Sequence, residues 1–583
     1  MRNLFGSIAA LIEMPLKSEV EFGRNIEFLS QLRHIVGRRY VLTGRDALLR
    51  FTVGYRTGSG DAVAAVLPGS LFQLWQVALA CIRADKILIM QAANTGLTGG
   101  STPFGDYDRD VVVANTLRLK GVRPILDGEQ VVCLPGATLY ELEDTLLPYN
   151  RSPHSEIGSS CIGASVFGGV CNNSGGALVQ RGPAYTEASV YAQVDADGEL
   201  HLINHLGIDL GHTPEEILNN LETGNFYVHP TSVEERNCSS TDYQSHVCKL
   251  DEATPARFNA DPRGLFEASG SAGRVIVFAL RLDSFEKPKS THVFAISSNA
   301  PSAISEVKRL LLVDHGIVPI AGEYMDKAIF CEAMTYARDS FLAIKWMGTK
   351  RLPLLYKLKN TMDRWCGRIK LPVENFSDKA LQIIASVFPY PLSKSIKRQG
   401  SKHAHTLLLK VDQRHVDQVR TELSTLTLSE NFEYLECSEN DAEDAYLHRF
   451  VSAGAAIRYD AVTQRENSRL VAVDVALRRN DEDWHNLVPP RLMAKVEKLF
   501  VYGHFFCNVF HLDFVVNEGV DCHEFEADLI ACLEKDGAQC PAEHNVGHLY
   551  LAKPDLAAFY KELDPTNSLN PGIGKTSKRK NWR

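Results

Sequence analysis

The sequence predicts an α+β protein of three parts, and three observations support this fold class. First, 583 residues with 45% hydrophobic and 23% charged side chains are enough for about three or four globular domains. Second, a strand, a helix, a strand and a glycine loop follow one another between residues 62 and 101, which is typical of an α/β unit. Third, residues 341–400 have a basic composition that differs from the rest of the chain. We therefore expect a sheet-based N-terminal half, a second sheet domain and a basic segment.

The overall charge and the cysteines argue against some classes of protein. The net charge of −9 is unlike that of a generally basic nucleic-acid binder, so any cationic surface must be local. The 13 cysteines include no C-x-x-C pair, which is typical of reduced thiols in a cytosol-facing compartment. No run of the sequence approaches the roughly 20 apolar residues of a membrane-spanning helix, and the N-terminal stretch is weak as a cleaved signal. We therefore expect a cytoplasmic protein whose membrane contact is peripheral.

The first elements are predicted from their hydrophobic patterns. Residues 22–50 are predicted to be helical, and Ala62–Pro68 is predicted to form a strand after a turn. One face of the next helix is formed by Leu71, Leu74, Trp75, Ala78, Leu79 and Ile82. The apolar run Ile87–Met90 is typical of a buried strand. Further strands are predicted at Val111–Val113, Gln130–Pro135 and Arg274–Leu280.

The loop from Gln91 to Ser101 is the first candidate binding element. It consists mainly of small residues and follows a strand directly, so several main-chain N–H groups can point into one concavity that no side chain blocks. Such a concavity suits a phosphate, and a tight surface turn is the alternative. The loop lacks the G-x-G-x-x-G pattern, so a nicotinamide dinucleotide site is not supported.

The stretch 157–176 is the second candidate binding element. It is rich in glycine and serine, which contribute little side-chain burial, and glycine loses the most backbone entropy on folding. A flexible linker is the alternative, but the interleaved Ile, Val, Phe and Cys residues are wrong for a linker. The composition therefore favours a large ligand that lies against the main chain.

The basic segment 341–400 contains 12 Lys or Arg residues and three acids, a local charge of +9. Apolar and aromatic residues lie between the basic ones: Trp346, Leu354, Leu355, Tyr356, Trp365, Phe388 and Tyr390. Such a mixture can enter a bilayer interface while its charges contact anionic headgroups. A solvated helical face and a nucleic-acid groove are the alternatives. The size of the charge asymmetry in an acidic protein favours the membrane.

Histidines cluster in the C-terminal part of the chain. His504 and His511 are seven residues apart, and Glu543-His544 follows about thirty residues later. Seven is an odd step on a strand, so the two histidines share a face only if the stretch bends or bulges. A single histidine is most often a core residue, whereas several with an adjacent glutamate predict a chemical site.

Five stretches of the sequence resemble one family of flavoproteins, in register from Gly54 to Trp582. They are AANTGLTGGSTP, IGSSCIGASVFGGVCNNSGG, RGPAYTE, PAEHNVGHLY and DPTNSLNPGIGKTSKRKNW. In these stretches the chain is similar to the bacterial quinone-dependent D-lactate dehydrogenases, whose FAD domain is of the vanillyl-alcohol-oxidase type. The resemblance implies a two-subdomain FAD-binding domain (1–285 and 533–583), an α/β cap domain (286–325 and 401–532) and a basic, partly helical membrane-binding segment (326–400).

The resemblance also implies which residues bind the cofactor. The expected FAD contacts are Ala92, Ala93, Asn94, Thr95, Gly96, Gly100, Ser101, Gly158, Ser165, Gly175 and Val277. Some relatives attach the flavin covalently through a histidine of the first loop. This chain has no histidine between His34 and His154, so a non-covalent FAD is expected.

The same resemblance suggests roles for the histidine cluster. In related 2-hydroxyacid dehydrogenases an H-x6-H pair and the Glu of an E-H motif bind a divalent metal, and the next His is the base. By that match His504, His511 and Glu543 would be ligands and His544 the base. Those relatives have a Gly- and Asp-rich sequence between the histidines, and here it is Phe-Phe-Cys-Asn-Val-Phe. The alternative is therefore that these residues hydrogen-bond lactate without a metal.

An arginine is expected to bind the substrate carboxylate, because a guanidinium can do so bidentately. Arg449 and Arg458 are both candidates, and either could instead form a structural ion pair. The implied function is respiratory oxidation of D-lactate to pyruvate, with hydride transfer to FAD and electrons passed to a membrane quinone. The expected location is the cytoplasmic face of the bacterial inner membrane, bound to anionic phospholipid through 341–400, with no nucleic-acid partner. The alternatives are a metal-dependent D-2-hydroxyglutarate-type dehydrogenase and a non-catalytic flavin-binding protein at the membrane.

Overall fold

A computed structural model describes residues 19–154, 161–228, 236–352, 376–427, 432–463 and 469–583. The strands are β1 (Val41–Leu42), β2 (Ala64–Val66), β3 (Ile87–Gln91), β4 (Val111–Asn115), β5 (Val122–Ile125), β6 (Gln130–Cys133), β7 (Arg151–Ser152), β8 (Ser189–Val194), β9 (Leu200–Asn204), β10 (Ile276–Asp283), β11 (Phe285–Glu286), β12 (Thr291–Ser298), β13 (Ala321–Asp326), β14 (His405–Asp412), β15 (Phe432–Glu436), β16 (Leu470–Ala476), β17 (Val496–His504) and β18 (Val509–Val516).

The α-helices alternate with these strands along most of the chain. They are α1 (Glu19–Val36), α2 (Arg45–Thr52), α3 (Leu71–Arg83), α4 (Leu139–Leu146), α5 (Val166–Cys171), α6 (Pro214–Thr223), α7 (Tyr243–Val247), α8 (Pro301–Arg309), α9 (Lys327–Tyr336), α10 (Arg338–Met347), α11 (Phe376–Ser386), α12 (Lys394–Lys402), α13 (Val416–Leu426), α14 (Glu439–Thr463), α15 (Pro490–Met493), α16 (Cys522–Lys535) and α17 (Pro554–Leu563).

The strands form three main sheets. The first has the order β1-β2-β4-β3, in which β2 and β3 both pair with β4 in parallel. The second is antiparallel with the order β5-β6-β10-β8-β9. The third is antiparallel with seven strands in the order β15-β12-β14-β13-β17-β18-β16. The two smaller sheets are thus built from residues before 284 and the large sheet from residues after 290.

The predicted unit of strand, helix, strand and loop is confirmed as β2, α3, β3 and the residues that follow β3. The helix begins where Ser70 accepts a hydrogen bond from the backbone N–H of Gln73 at 3.1 Å, the usual role of a serine N-cap. Its Leu74 and Ala78 are fully buried in the same core as Val112 of β4. The apolar stripe of the helix therefore packs onto the first sheet.

The single helix predicted over 22–50 is wrong in its middle. The helix α1 ends at Val36, and Gly37 follows with a φ of 88°, a value that a glycine adopts readily and that a helix excludes. The short strand β1 then pairs with β2, and a separate helix α2 begins at Arg45. Sheet pairing therefore overrides helical propensity at Val41 and Leu42.

The C-terminal tail returns to the first sheet. Leu569 forms a parallel bridge with Leu88 of β3, and the N–H of Asn570 donates to the carbonyl of Leu88 at 3.0 Å. The side-chain amide of Asn570 donates to the carbonyls of Gly100 (2.8 Å) and Ala272 (2.7 Å). The tail thereby braces the end of the loop that follows β3.

The basic segment is helical at α10, α11 and the beginning of α12. Its predicted apolar residues Leu354, Leu355, Tyr356 and Trp365 lie outside the described residues. Tyr390 does not face solvent as expected, because it is only 6% exposed and hydrogen-bonds Nδ1 of His448 at 2.7 Å. Among the described helices, none combines the length and the apolar character that a bilayer crossing requires.

Candidate active site

The loop after β3 leaves its backbone amides available. Among the described residues, no hydrogen bond is donated by a main-chain N–H of residues 92–101. The side chains brace the loop instead, because Asn94 donates to the carbonyl of Val53 at 2.9 Å and Ser101 donates to Asn94 at 3.2 Å. N–H groups that have no partner among the described residues, held in a braced loop, can form a concavity that suits the oxygens of a phosphate.

The second small-residue region contains a short helix that the sequence pattern did not predict. Ser165 caps α5 by accepting from the N–H of Gly168 at 2.9 Å, so its hydroxyl has a structural role as well as a place in the expected cofactor site. Val277 of β10 lies in the same buried cluster as Val166 and Phe167 of α5. Gly158 lies outside the described residues.

A chain of hydrogen bonds connects the first loop with the second region. The carbonyl of Gln91 accepts from the N–H of Thr116 (2.8 Å), whose hydroxyl donates to the carbonyl of Pro135 (3.2 Å). Two residues further on, the carbonyl of Ala137 accepts from the N–H of Val166 at 3.0 Å. The two regions that are far apart in sequence are therefore neighbours in the fold.

The segment 543–548 contacts both regions. The N–H of His548 donates to the carbonyl of Thr98 at 2.9 Å, and a Cβ built on Gly100 would lie 2.7 Å from Nδ2 of Asn545. Asn545 also donates from its side chain to Oδ1 of Asn172. The same segment carries Glu543 and His544, so the expected catalytic residues adjoin the expected cofactor cradle.

His504 and His511 lie in a hairpin and not in one bent strand. His504 ends β17, the single turn Phe505–Cys507 reverses the chain, and His511 lies in β18 opposite Tyr502. Because His504 is two residues from Tyr502, both histidines project from the same face of the sheet. Their ring centroids are 5.7 Å apart.

Two buried carboxylates that the sequence analysis missed complete the cluster. Glu323 of β13 is paired in register with His504, and its Oε1 lies 2.7 Å from His504 Nδ1. Asp474 of β16 is paired in register with His511, and the two are 3.4 Å apart between Oδ1 and Nδ1. Asp474 is a lone acid in an otherwise apolar strand, and Glu323 is a buried acid between the apolar residues of β13; an acid in such a strand was the signal in the sequence that could have found each of them.

Asp474 also connects the sheet to Glu543 and His544. Its Oδ2 accepts from the backbone N–H groups of Glu543 (2.7 Å) and His544 (3.0 Å) and lies 3.3 Å from Nδ1 of the His544 ring. The carboxylate of Glu543 lies 3.2 Å from Nε2 of His504 and pairs with the buried Arg257. Arg257 was another residue that the sequence analysis missed.

The three histidines have different electrostatic surroundings. Burial disfavours the charged form of His504, but Glu323 and Glu543 outweigh it and raise its pKa to about 10. Burial lowers the pKa of His511 to about 4, against the opposing effect of Asp474. His504 is therefore protonated at neutral pH and His511 is a weak base. His544 is the most exposed of the three, with 37% of its side chain accessible.

The structure separates the two candidate arginines. Arg449 lies in the cluster, with Nη2 3.0 Å from Oε2 of Glu323 and its guanidinium 4.8 Å from the centre of the Tyr502 ring. Its buried Nε has no hydrogen-bond partner among the described residues. Arg458 does not join the cluster, because it pairs with Asp339 and Asp378 at 2.8 Å each.

His504, His511 and Glu543 also meet the distance requirement for a metal ion. Each offers one ligand atom, and these atoms all lie within 4.8 Å of one another. Two imidazoles and a carboxylate are ligands that zinc accepts. In this cluster, however, both ring nitrogens of His504 already face carboxylate oxygens, at 2.7 Å and 3.2 Å.

The chain is similar to known proteins over nearly its whole length. The family model described as D-lactate dehydrogenase, membrane binding, matches residues 293–582. A quinone-dependent D-lactate dehydrogenase of Escherichia coli is 48% identical, over 96% of this chain and 98% of that one. Its namesake from Haemophilus influenzae is 49% identical, over 95% of this chain and 99% of that one.

The solved structure of 4-ethylphenol oxidase from Gulosibacter chungangensis covers 96% of this chain and 98% of its own, with a TM-score of 0.57 and 13% identity. At this identity the likeness concerns the fold alone. It confirms the predicted α+β fold class.

Proposed function

The chain belongs to the quinone-dependent D-lactate dehydrogenases, and on that premise we propose how its site performs the reaction. The protein is an oxidoreductase that converts D-lactate to pyruvate by hydride transfer to a flavin and passes the electrons to a membrane quinone. One observation carries the proposal: the segment 543–548 holds His544 and contacts both small-residue regions. Family membership does not support the 2-hydroxyglutarate-type or the non-catalytic alternative.

Non-covalent FAD is the cofactor that fits the cradle. The amides of residues 92–101, which have no partner among the described residues, suit its pyrophosphate. Gly100 and Gly175 allow the side chains of Asn545 and Glu543 to approach the main chain closely, which brings the segment 543–548 against the cradle. We propose that the other residues expected to contact FAD, from Ala92 to Val277 in sequence order, also bind the cofactor. When bound, FAD supplies the acceptor for the hydride that leaves C2 of the substrate.

His544 is the base that removes the hydroxyl proton of D-lactate. Asp474 faces Nδ1 of its ring, which leaves Nε2 as the nitrogen that can accept a proton. His504 is unsuited to this role because Glu323 and Glu543 keep it protonated, and His511 is too weak a base. His511 instead positions the substrate by donating a hydrogen bond, while Glu323 and Glu543 hold the protonated ring of His504 in place beside it.

Arg449 binds the carboxylate of D-lactate. It is the candidate arginine that lies in the cluster, and its Nε, which has no partner among the described residues, is a donor that a ligand oxygen would satisfy. Arg458 has the structural role, since two carboxylates already pair with it.

The site works without a divalent metal. If an ion were bound, His504, His511 and Glu543 would hold it, and it would polarise the substrate oxygen. Two arginines and His504 already offset the buried charges of Glu323, Glu543 and Asp474. A cation would have to displace the hydrogen bond between His504 and Glu543, so the cluster is complete without it.

Docking to anionic phospholipid through residues 341–400, on the cytoplasmic face of the bacterial inner membrane, brings the flavin site near the quinone pool. The support is the local charge of +9 and the name of the family model, which includes membrane binding. The proposed domains are 1–285 with 533–583, 286–325 with 401–532, and 326–400. The three sheets and the return of Asn570 to β3 support this division.

The function is tested by adding D-lactate anaerobically to the purified holoenzyme and following the flavin absorbance. We expect complete bleaching, and the same bleaching rate after dialysis against EDTA because the cluster needs no metal. A protein that is colourless and indifferent to added flavin, or no bleaching by any 2-hydroxy acid, would refute the assignment. Stoichiometric zinc or manganese whose removal stops bleaching would refute only the metal-free site.

Gly96→Ala is expected to weaken FAD binding about tenfold, which corresponds to about 1.4 kcal/mol. No atom lies within 4 Å of a Cβ at Gly96, so the protein accommodates the methyl group, but the methyl group obstructs close approach of a phosphate to the main chain. FAD titration of the deflavinated protein measures the affinity. Gly44→Ala, which also meets no atom within 4 Å, is the matched control and should bind FAD normally. Unchanged affinity in Gly96→Ala would contradict the cradle.

A further inference from the structure

Five large apolar side chains project into solvent from the described part of the basic segment 341–400. They form what we call the apolar ridge: Trp346, Ile383, Ile384, Val387 and Phe388. We propose that this ridge inserts into the hydrocarbon boundary of an anionic bilayer, so that docking is hydrophobic as well as electrostatic. The inference rests on the proposed membrane docking and deepens it, because it names the side chains that enter the lipid.

The ridge is continuous and strongly exposed. Its exposed fractions are 64% for Trp346, 69% for Ile383, 60% for Ile384, 80% for Val387 and 42% for Phe388. Ile383 lies in the last turn of α11, and Val387 directly follows the helix in a turn in which its N–H donates to the carbonyl of Ile384 at 3.4 Å. The rings of Trp346 and Phe388 are 5.8 Å apart, which joins α10 to this turn. A contiguous apolar patch of this kind marks an interaction surface, whereas scattered apolar residues do not.

The backbone beneath the ridge is held in place. Nη1 of Arg338 donates to the carbonyls of Ser386 (3.2 Å) and Phe388 (3.1 Å). The side chain of Gln382 donates to the carbonyl of Thr335 at 2.9 Å, and Ala385 is buried on the opposite face of α11. The outward direction of the apolar side chains is therefore fixed by the packing of the helix.

The segment that carries the ridge also carries cations. Lys379 is one turn before Ile383 on α11, and Arg351, Lys394 and Arg398 belong to the same basic segment. None of these four forms an ion pair within the described ranges. The nearby acid Asp378 is already paired with Arg458 at 2.8 Å.

The combination of exposed apolar side chains and cations favours one kind of binding partner. Apolar side chains that penetrate the acyl boundary, with cations at the level of anionic headgroups, are the two components of interfacial binding. Charge complementarity thus favours an anionic bilayer, and the family model that covers the segment is described as membrane binding. A neutral apolar protein partner would leave the cations of this segment without a counter-charge.

The test compares the holoenzyme with Ile383→Ser/Ile384→Ser/Val387→Ser in sedimentation with vesicles of phosphatidylcholine and phosphatidylglycerol. We expect the triple variant to bind at least tenfold more weakly at low salt. In about 1 M salt, where the Debye length falls to about 3 Å, wild type should retain binding and the variant should lose it. Ile26→Ser/Leu49→Ser/Leu147→Ser, which changes exposed apolar residues elsewhere, is the matched control and should bind as wild type does.

A second measurement reports insertion directly. Lipids brominated on their acyl chains should quench the fluorescence of Trp346, and Trp346→Phe should remove that quenching without changing flavin bleaching by D-lactate. Normal vesicle binding by the triple Ser variant at both salt concentrations would overturn the insertion and leave electrostatic docking intact. Wild type that binds no vesicle at all would refute the proposed docking itself. Binding to native membranes but not to protein-free vesicles would assign the ridge to a protein partner and overturn the inference.

Discussion

His544→Gln is expected to slow flavin reduction by D-lactate by about 10²- to 10⁴-fold, the usual contribution of a general base. Glutamine retains a polar side chain of similar reach but cannot accept the hydroxyl proton. The residue is the most exposed member of the cluster, so the substitution should leave the melting temperature almost unchanged. Anaerobic stopped-flow absorbance of the flavin measures the rate, with the flavin content of each preparation as the reference.

The control for His544→Gln is His201→Gln. His201 also lies beside a carboxylate, with Nε2 2.7 Å from Oδ2 of Asp195, but it is at the surface of the second sheet. In the His201→Gln variant, D-lactate should reduce the flavin at the wild-type rate. Asp474→Asn should also slow reduction, because an amide at this position no longer selects the tautomer of His544 that has a basic Nε2. A normal rate in His544→Gln would refute the assignment of the base.

Arg449→Met is expected to raise the KM for D-lactate by about 100-fold, with a smaller effect on kcat. The reason is the loss of a charge-assisted contact to the substrate carboxylate, which contributes about 2–5 kcal/mol when buried. The protein should still fold, because Glu323 keeps its partner His504 at 2.7 Å. Steady-state kinetics with an artificial electron acceptor measure both constants.

Arg458→Met is the matched control for Arg449→Met. Both arginines lie on α14, both are nearly buried, and both pair with carboxylates at about the same distance. The loss of Arg458 leaves Asp339 and Asp378 without their partner, so we expect a lower melting temperature and an unchanged KM. Equal increases in KM for the two variants would show that Arg449 has only a structural role.

Local sequence patterns predicted the first α/β unit correctly. The stripe from Leu71 to Ile82 and the run Ile87–Met90 form α3 and β3 because the residues that decide each element lie within a few positions of one another. The helix predicted over 22–50 failed at Val41 and Leu42, whose conformation depends on pairing with β2. Local secondary-structure propensity therefore predicted an element correctly only where tertiary packing favoured the same conformation.

The sequence predicted only some of the residues of the candidate site. The histidines and Glu543 stand close together in short motifs, whereas Glu323 is 181 residues from His504 and Arg257 is 286 residues from Glu543. The register of the seven-stranded sheet creates the first of these pairs, and no local window contains both partners. The same limit left Arg449 and Arg458 as equal candidates.

By itself the sequence determined the family, the position of the glycine loop after β3 and the residues of the histidine cluster, because these depend on short motifs and local turn chemistry. Only the tertiary structure decided which carboxylates surround each histidine, which arginine lies in the cluster and which apolar residues of the basic segment face outward. Tyr390 is buried and Val387 is exposed although both lie in the same basic segment. Burial and charge pairing depend on contacts between distant parts of the chain, and these contacts form only when the sheets assemble.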